Sequence, residues 1–363
     1  MQQEIRNRPS RGVRRLAVAG LAALCLGAFL VLLVSGPAGC RSERGDGIGS
    51  AASPMARVTA PEADSRSPGL PSIPDLAPQA LGKPYRDLRR HTTHPLGEVS
   101  GIDISPDGGT IIFASTQDGA TPNIYMKREG SAGVIRKTSG RSWDIQPRIS
   151  PNGDSIAFAS DRDGNFDVWI IPADGAGGLE QVTSSTDDEV HPTWSPDSNK
   201  LAICRLSKTH GWNLWILDRQ DQSAMELGPG LFPDWSPTGE WIAFQKPSDR
   251  EPHWFGIWII RPDGSEVRQV VTPEGFWAVE PAWSPAGDMI AYAAARKTLG
   301  DARRSDGGRI WVVELVHGKT FRLTDGPGTD ACPVWGLGGR LYFISDRLEG
   351  RSVWSLVPPE VKE

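Results

Sequence analysis

From about residue 100 onward, short apolar runs alternate with clusters of turn-forming residues. "TIIFAS" (110–115), "SIAFAS" (155–160), "LAICRL" (201–206), "WIAF" (241–244), "MIAY" (289–292) and "LYFIS" (341–345) are apolar almost without alternation. Strands of that kind are covered on both faces. Each follows a turn: "SPDGG", "SPNGD", "SPDSN", "SPTGE", "SPAGD" and, in a degraded form, "GLGGR". In these turns Pro sets φ, while Asn and Gly accept left-handed positions. A second apolar run comes after each, with an aromatic at its centre: Tyr125, Trp169, Trp215, Trp258, Trp311 and Trp354.

The unit therefore repeats. Anchored on Ile104, Ile149, Trp194, Trp235, Trp283 and Trp335, six copies stand 45, 45, 41, 48 and 52 residues apart. Self-similarity at forty to fifty residues indicates a solenoid, a propeller or an array. The second copy resolves into four strands. Strand a is 146–150, b is 155–160, c is 167–172 and d is 179–184. Four antiparallel strands per unit predict an all-β, six-bladed propeller. The Pro-x-Trp ends strand a, and its Trp is an apolar wedge between neighbouring sheets.

The sixth copy ends after its strand c, "SVWSLV" (352–357), whereas "YRDLRRHTTH" (85–94) has the shape of a strand d. The N-terminal segment is expected to complete blade six and close the ring, which removes two open sheet edges.

The unit P-x-W-S-P-D-G…I-A-F…D-I-W…D-G…L-T resembles the repeat of TolB-type propellers. These occur in periplasmic TolB and at the N-termini of prolyl-oligopeptidase-like enzymes. The resemblance covers 85–363, without the α/β domain that precedes the propeller in TolB. It implies a binding surface on the loops around the channel mouth, where TolB propellers hold a peptidoglycan-associated lipoprotein. The enzymes in this group need an α/β-hydrolase domain with a Gly-x-Ser-x-Gly elbow. That motif does not occur here, and no such domain is expected after blade six. Oligogalacturonate lyases also resemble this propeller and hold a metal with His and Gln near the channel. Gln146 and His191 are a partial echo of that set, so such an enzyme, or a carbohydrate-binding propeller, is the alternative.

Residues 1–40 are a targeting segment. Five Arg precede a charge-free run from Leu16 to Val34, and "SGPAGC" closes it. Small residues before Cys40 resemble the lipobox of bacterial lipoproteins, with Pro37 where Leu is usual. Cys40 is the expected lipidation site. An uncleaved anchor is the alternative, because 19 apolar residues can span a bilayer. Either way the propeller is exported. Arg41 after the Cys does not resemble an inner-membrane retention signal, which points to the outer membrane where there is one. Residues 41–84, rich in Pro, Gly, Ser and Ala, cannot bury a core and are expected to form a disordered tether.

Net charge is −5; without the +4 of residues 1–39, a mature chain carries −9. That argues against nucleic acid. The propeller is expected to be monomeric and to bind a protein or peptide of the cell envelope. Cys204 and Cys332 form no disulfide framework. The His residues lack metal-ligand spacing, so neither metal nor cofactor is expected. "DRDGNFD" (161–167) superficially suggests a calcium loop, but Pro172 stands where the acceptor Glu is required.

Connectivity sorts the loops. The a–b and c–d turns share one face and are short. The b–c and d–a loops share the other, and 205–212, 246–256, 272–280 and 295–309 appear long there. Residues before the inner-strand Pro should ring the channel mouth: Gln146, His191, Phe232, Glu280 and Cys332. Asp144, Glu189 and Asp330, two positions upstream, would make that mouth acidic. Of 14 Trp, nine fill the a- and c-strand slots and Trp241 lies in a b strand. The others, Trp143, Trp212, Trp254 and Trp277, fall in b–c or d–a loops. With Phe255 and Phe276 they are candidates for an aromatic recognition surface. The basic segment 295–309 is a candidate dock for an acidic partner.

Overall fold

The computed structural model describes residues 85–92, 97–209, 211–249, 253–296, 306–348 and 350–359. The apolar segment 16–34, Cys40, the tether, His94, His210 and residues 297–305 of the basic segment lie outside them.

A first strand, β1 (Arg86–Arg90), precedes the blades. Blade 1 is β2 (Val99–Ile104), β3 (Thr110–Ser115), β4 (Asn123–Arg128) and β5 (Ile135–Arg136). Blade 2 is β6 (Asp144–Ile149), β7 (Ser155–Ser160), β8 (Asp167–Pro172) and β9 (Glu180–Gln181). Blade 3 is β10 (Asp188–Trp194), β11 (Lys200–Ser207), β12 (Gly211–Asp218) and β13 (Ala224–Pro229). Blade 4 is β14 (Leu231–Trp235), β15 (Ile242–Pro247), β16 (Phe255–Ile260) and β17 (Arg268–Val271). Blade 5 is β18 (Trp277–Trp283), β19 (Met289–Arg296), β20 (Asp306–Glu314) and β21 (Thr320–Arg322). Blade 6 takes β22 (Asp330–Trp335), β23 (Leu341–Ser345) and β24 (Ser352–Val357). Each blade is a four-stranded antiparallel sheet, and blade 6 has the order β1-β24-β23-β22.

The expected closure is present. Arg86, Arg89 and Arg90 pair with Val357, Ser355 and Trp354. Beyond β1, the His91 N–H donates to Val353 O (2.8 Å). The Val353 N–H donates to Thr92 Oγ1 (2.8 Å). Arg340 grips Asp87 from the turn below.

The core lies between blades rather than at one centre. Ile112 and Ile124 of blade 1 pack on Ile156 and Phe158 of blade 2. Ala157 and Val168 meet Trp194 and Leu201 at the next seam, and Val99 and Phe113 meet Tyr342 and Val353 where the ring closes. This explains the near-continuous apolar runs, since β3 and β7 have a neighbouring sheet on each face. The inner-strand Trp residues are wedges and also tethers. Trp194 Nε1 donates to Arg148 O of blade 2 (3.0 Å), and Trp335 Nε1 to Ala282 O of blade 5 (3.1 Å).

The Ser-Pro turns are self-contained. Ser105 Oγ accepts from the Thr110 N–H (2.9 Å), and Asp107 Oδ1 accepts from the Gly109 N–H (2.9 Å). Ser150, Ser195, Ser236 and Ser284 repeat the first bond. Gly336 stands in for the sixth Ser because a Cβ there would sit 2.9 Å from Tyr342 Cε2.

Two expectations are corrected. The outer strand of blade 2 is only Glu180–Gln181, not 179–184. An outermost strand has one neighbour and little to bury. The long loops are also shorter than expected. Residues 205–212 belong mostly to the β11–β12 hairpin, which zips up to the Ser207–Gly211 pair. Trp277 begins β18, and Arg296 pairs with Asp306 across the 295–309 segment. Ladder hydrogen bonds continue past the apolar stretch because backbone pairing does not require apolar side chains.

Candidate functional site

All six inner strands carry a bulge at the same place. The register shifts between Ser100 and Ile102, Ile145 and Arg148, Val190 and Thr193, Leu231 and Asp234, Val279 and Ala282, and Ala331 and Val334. A bulge leaves extra backbone unpaired on one strand. Pro suits five of these sites because it has no N–H to satisfy. At each bulge one residue is left-handed: Gly101, Gln146, His191, Phe232, Glu280 and Cys332 have φ of 64, 55, 54, 53, 56 and 52°. For the five that are not glycine, this conformation costs on the order of 1–3 kcal/mol each.

The bulges turn these six residues inward. With their prolines they line a solvent-open cavity of ≈ 70 Å³ on the propeller axis, with a wall from every blade. The sequence had placed Gln146, His191, Phe232, Glu280 and Cys332 around this mouth. Gly101, which has no Pro after it, completes the ring.

Side chains of one blade satisfy the bulge amides of the next. Gln146 Oε1 accepts from the His191 N–H (2.9 Å), Gln245 Oε1 from Glu280 (2.9 Å) and Glu280 Oε2 from Cys332 (2.7 Å). The first bond has a chemical consequence. It fixes the Gln146 amide so that its NH2 meets His191 Nε2 at 3.0 Å. That ring nitrogen must therefore accept, and the imidazole proton sits on Nδ1. Burial, reinforced by the Arg148 charge, lowers the His191 pKa to about 3. The His191 ring also lies 3.8 Å, centroid to centroid, from Phe232.

Below this ring, charge crosses the channel. Arg148 of blade 2 reaches Asp234 of blade 4 (3.1 Å) and Asp103 of blade 1 (3.8 Å). The other carboxylate oxygens accept backbone N–H groups, Asp103 from Ile149 (2.7 Å) and Asp234 from Trp283 (2.8 Å). Burial raises the Asp103 pKa to about 6 against the pull of Arg148. No feature of the repeat had singled out this triad, whose residues share one slot in different copies.

The structure does not bring Asp144, Glu189 and Asp330 to the cavity, so the expected acidic mouth is corrected. All three are fully buried. Asp144 accepts from Ser160 Oγ (2.6 Å) and Arg162 (2.9 Å). Glu189 pairs with Arg205 (2.8 Å) and Asp330 with Arg347 (2.7 Å). The three guanidinium groups lie over the rings of Trp169 (4.8 Å), Trp215 (4.3 Å) and Trp354 (5.2 Å). These are staples between an inner-strand start, the end of the b strand or the b–c loop after it, and a c-strand Trp. The repeated "SDR" at 160–162 and 345–347 was the sequence signal for two of the three.

The candidate aromatics are packed to different degrees. Trp143 and Trp212 are half-buried against the cluster shared by blades 2 to 4. Trp254 and Phe255 stand edge-on to Trp277 at 6.1 and 6.2 Å. Phe276 stacks on Trp311 at 6.3 Å. Trp277 itself is buried. Trp212, Phe255 and Trp277 lie in strands, not in loops.

Among the described residues, no three His, Cys, Asp or Glu side chains are grouped to hold a metal ion. Also among them, no helix is long and apolar enough to cross a membrane.

Residues 87–228 match the family model described as PD40, the TolB beta propeller domain. An uncharacterised protein of Agrobacterium fabrum is 31% identical over 107 residues. That match covers 28% of this chain and 35% of the relative, so it spans about a third of the relative's length. A protein assigned as TolB from Agrobacterium tumefaciens superposes with a TM-score of 0.55 at 20% identity, over 72% of this chain and 91% of that one. TolB from Acinetobacter baumannii gives 0.53 at 17%, over 71% and 66%. An oligogalacturonate lyase from Vibrio parahaemolyticus gives 0.51 at 14%, over 76% and 92%. At these identities the likeness is one of fold.

Proposed function

Since the chain is a TolB-like six-bladed β-propeller, we propose that it works as an exported, membrane-tethered binding module. In this reading the b–c/d–a loop face and the channel mouth hold a protein or peptide of the cell envelope. Cys40 carries the lipid, and residues 41–84 are the leash.

The observation that carries the reading is the ring of six left-handed bulges around one open cavity. Backbone strain repeated at one functional-looking ring, and nowhere offset by a turn requirement, supports a pocket kept for a ligand. The opposite face has closed turns whose polar groups satisfy each other. Gln146, His191, Phe232 and Glu280 would contact the partner in the mouth. The partly exposed rings of Trp143, Trp212, Trp254, Phe255 and Phe276 would widen the contact around it, with Trp277 supporting them from below. Asp144, Glu189 and Asp330 would hold the wall in place.

The lyase reading is less favoured by this donor set. Gln146 and His191 do meet, but the amide NH2 occupies the ring nitrogen, so neither is free as a ligand pair. A carbohydrate in the mouth is the other outcome the test can reveal.

Cys332 lies half-buried in the cavity wall and allows a test on the unmutated wall. Alkylating it with a bulky maleimide should block capture of envelope proteins by crosslinking, while a Cys332→Ser chain treated alike should capture normally. Capture that survives complete labelling would remove the mouth from the proposal.

A further inference from the structure

The chain enters the propeller at the turn face. β1 runs antiparallel to β24, with Arg86 beside Val357 and Arg90 beside Trp354. Arg86 therefore sits at the end of a third strand, where the other blades make their c–d turns. The channel mouth opens on the opposite face.

Exposed apolar side chains collect on that same turn face. Among the described residues seven large ones are exposed, and of these only Leu348 belongs to a b–c loop. The other six come one from each blade, in its turns or outermost strand: Ile135, Leu179, Met225, Val267, Val316 and Leu337. Single exposed apolar residues are ordinary, so charge has to decide what they meet.

The turn face is electrically two-sided. In blades 6 and 1, the turns and outer strands (336–340, 86–90, 105–109 and 128–137) hold seven basic and three acidic residues, a net of +4. The matching segments of blades 3 and 4, across the ring (195–199, 218–229, 236–240 and 261–271), hold three basic and seven acidic residues, a net of −4. Asp87, the acid of β1, is already held by Arg89 and Arg340. Those two guanidinium groups act on the same His91 ring as Lys127 and Glu129 of blade 1, so the patch is continuous across the closing seam. It also carries Ile135 and Leu337, 51 and 61% exposed.

We propose that the edge of the turn face formed by blades 6 and 1 rests on an anionic lipid bilayer, so that the channel mouth faces away from the membrane. This rests on the membrane-tethered reading above. An anionic surface favours each nearby Lys or Arg by roughly fivefold in affinity. It also accepts exposed apolar side chains, and it repels the acidic sector across the ring, which fixes the edge that touches. A 44-residue coil (41–84) spans about 33–40 Å, several times the ~8 Å Debye length. The tether alone would leave the propeller out of reach of lipid charge, and docking replaces that freedom with one orientation.

The test uses the full chain reconstituted into vesicles of phosphatidylcholine, alone or mixed with phosphatidylglycerol. Both preparations should float, which checks the anchor separately from the docking. Brief amine acetylation, read by peptide mass spectrometry, then compares three lysines. Lys127 lies in the patch, its ammonium on the Ser131 carbonyl of the blade 1 turn. Lys200 opens the second strand of blade 3 at the turn face, and Lys208 is on the loop face. Labelling of Lys127 relative to Lys208 should fall about threefold on the anionic vesicles and recover in concentrated NaCl. Lys200 should not follow it. Arg128→Glu/Leu337→Glu changes two exposed positions, so that chain should fold and float yet lose the protection. Equal Lys127 labelling on both lipids would overturn the docking and leave the tether standing. A chain that floats on neither would overturn the tethered reading and the docking with it. Protection kept in the variant, shared by Lys200, or following protein density rather than lipid charge would overturn the docking, the last by assigning the face to a second copy.

Discussion

Replacing Arg148 with Met keeps most of the side-chain stem and removes the charge that crosses the channel. Asp103 and Asp234, 3.8 and 3.1 Å from guanidinium nitrogens in the wild type, would then face an apolar methyl. Each keeps one backbone N–H donor, so the packing need not change. Breaking a buried pair by removing one partner costs about 3–5 kcal/mol. For a domain of this size that corresponds to roughly 6–15 °C in Tm. The cost must depend on pH, with a definite sign. The Asp103 pKa is already raised to about 6 with Arg148 present, and burial raises that of Asp234 too. A carboxyl whose folded pKa lies above its unfolded value takes up a proton on folding. Stability is therefore greatest below the unfolded pKa and is lost as pH rises towards the folded one. Without Arg148 both values climb further. Denaturant melts should show the full penalty near pH 7, and a remnant of about 1 kcal/mol at a pH low enough to protonate both acids. The triple variant Arg148→Met/Asp103→Asn/Asp234→Asn should recover most of the loss. A penalty under ~1 kcal/mol at pH 7, or one equal at both pH values, would refute the reasoning.

Two further expectations concern the closure and the mouth. Thr92→Val leaves the buried Val353 N–H without its acceptor and should cost about 1–3 kcal/mol in a urea melt. A neutral result would mean the closing strand is held by its ladder alone. His191 should show no titration in NMR spectra between pH ~4.5 and ~8, with its proton on Nδ1 throughout. Gln146→Ala should free Nε2 and move the pKa upward, although burial and Arg148 still hold it down.

The architecture was legible because its signals are local and repeated. The Ser-Pro turn binds itself with atoms five residues apart, so a turn sequence means a turn wherever it falls. The unalternating runs required two covered faces, and six of them required a ring. The missing strand at one end and the spare strand at the other required closure through Arg86–Arg90. The mouth residues were legible for a related reason: Pro after each of five marks the bulge that points its neighbour inward.

Misplaced features depend on distance rather than pattern. Asp144, Glu189 and Asp330 look like mouth residues in the sequence, because the guanidinium groups that cover them come from positions 16 or more residues later. Trp277 looks like a loop aromatic because ladder pairing extends beyond the apolar run. The Arg148 triad joins residues from three copies, 45 and 86 positions apart, and nothing in one repeat reports on the charge in another.

The sequence by itself determined the number of blades, their strand order and the ring of inward residues, since each follows from bonds made within one repeat. Only the tertiary structure decided which charges face water and which face each other. Burial and pairing of a carboxylate depend on what the neighbouring blade brings to the seam, and that is settled when the ring closes.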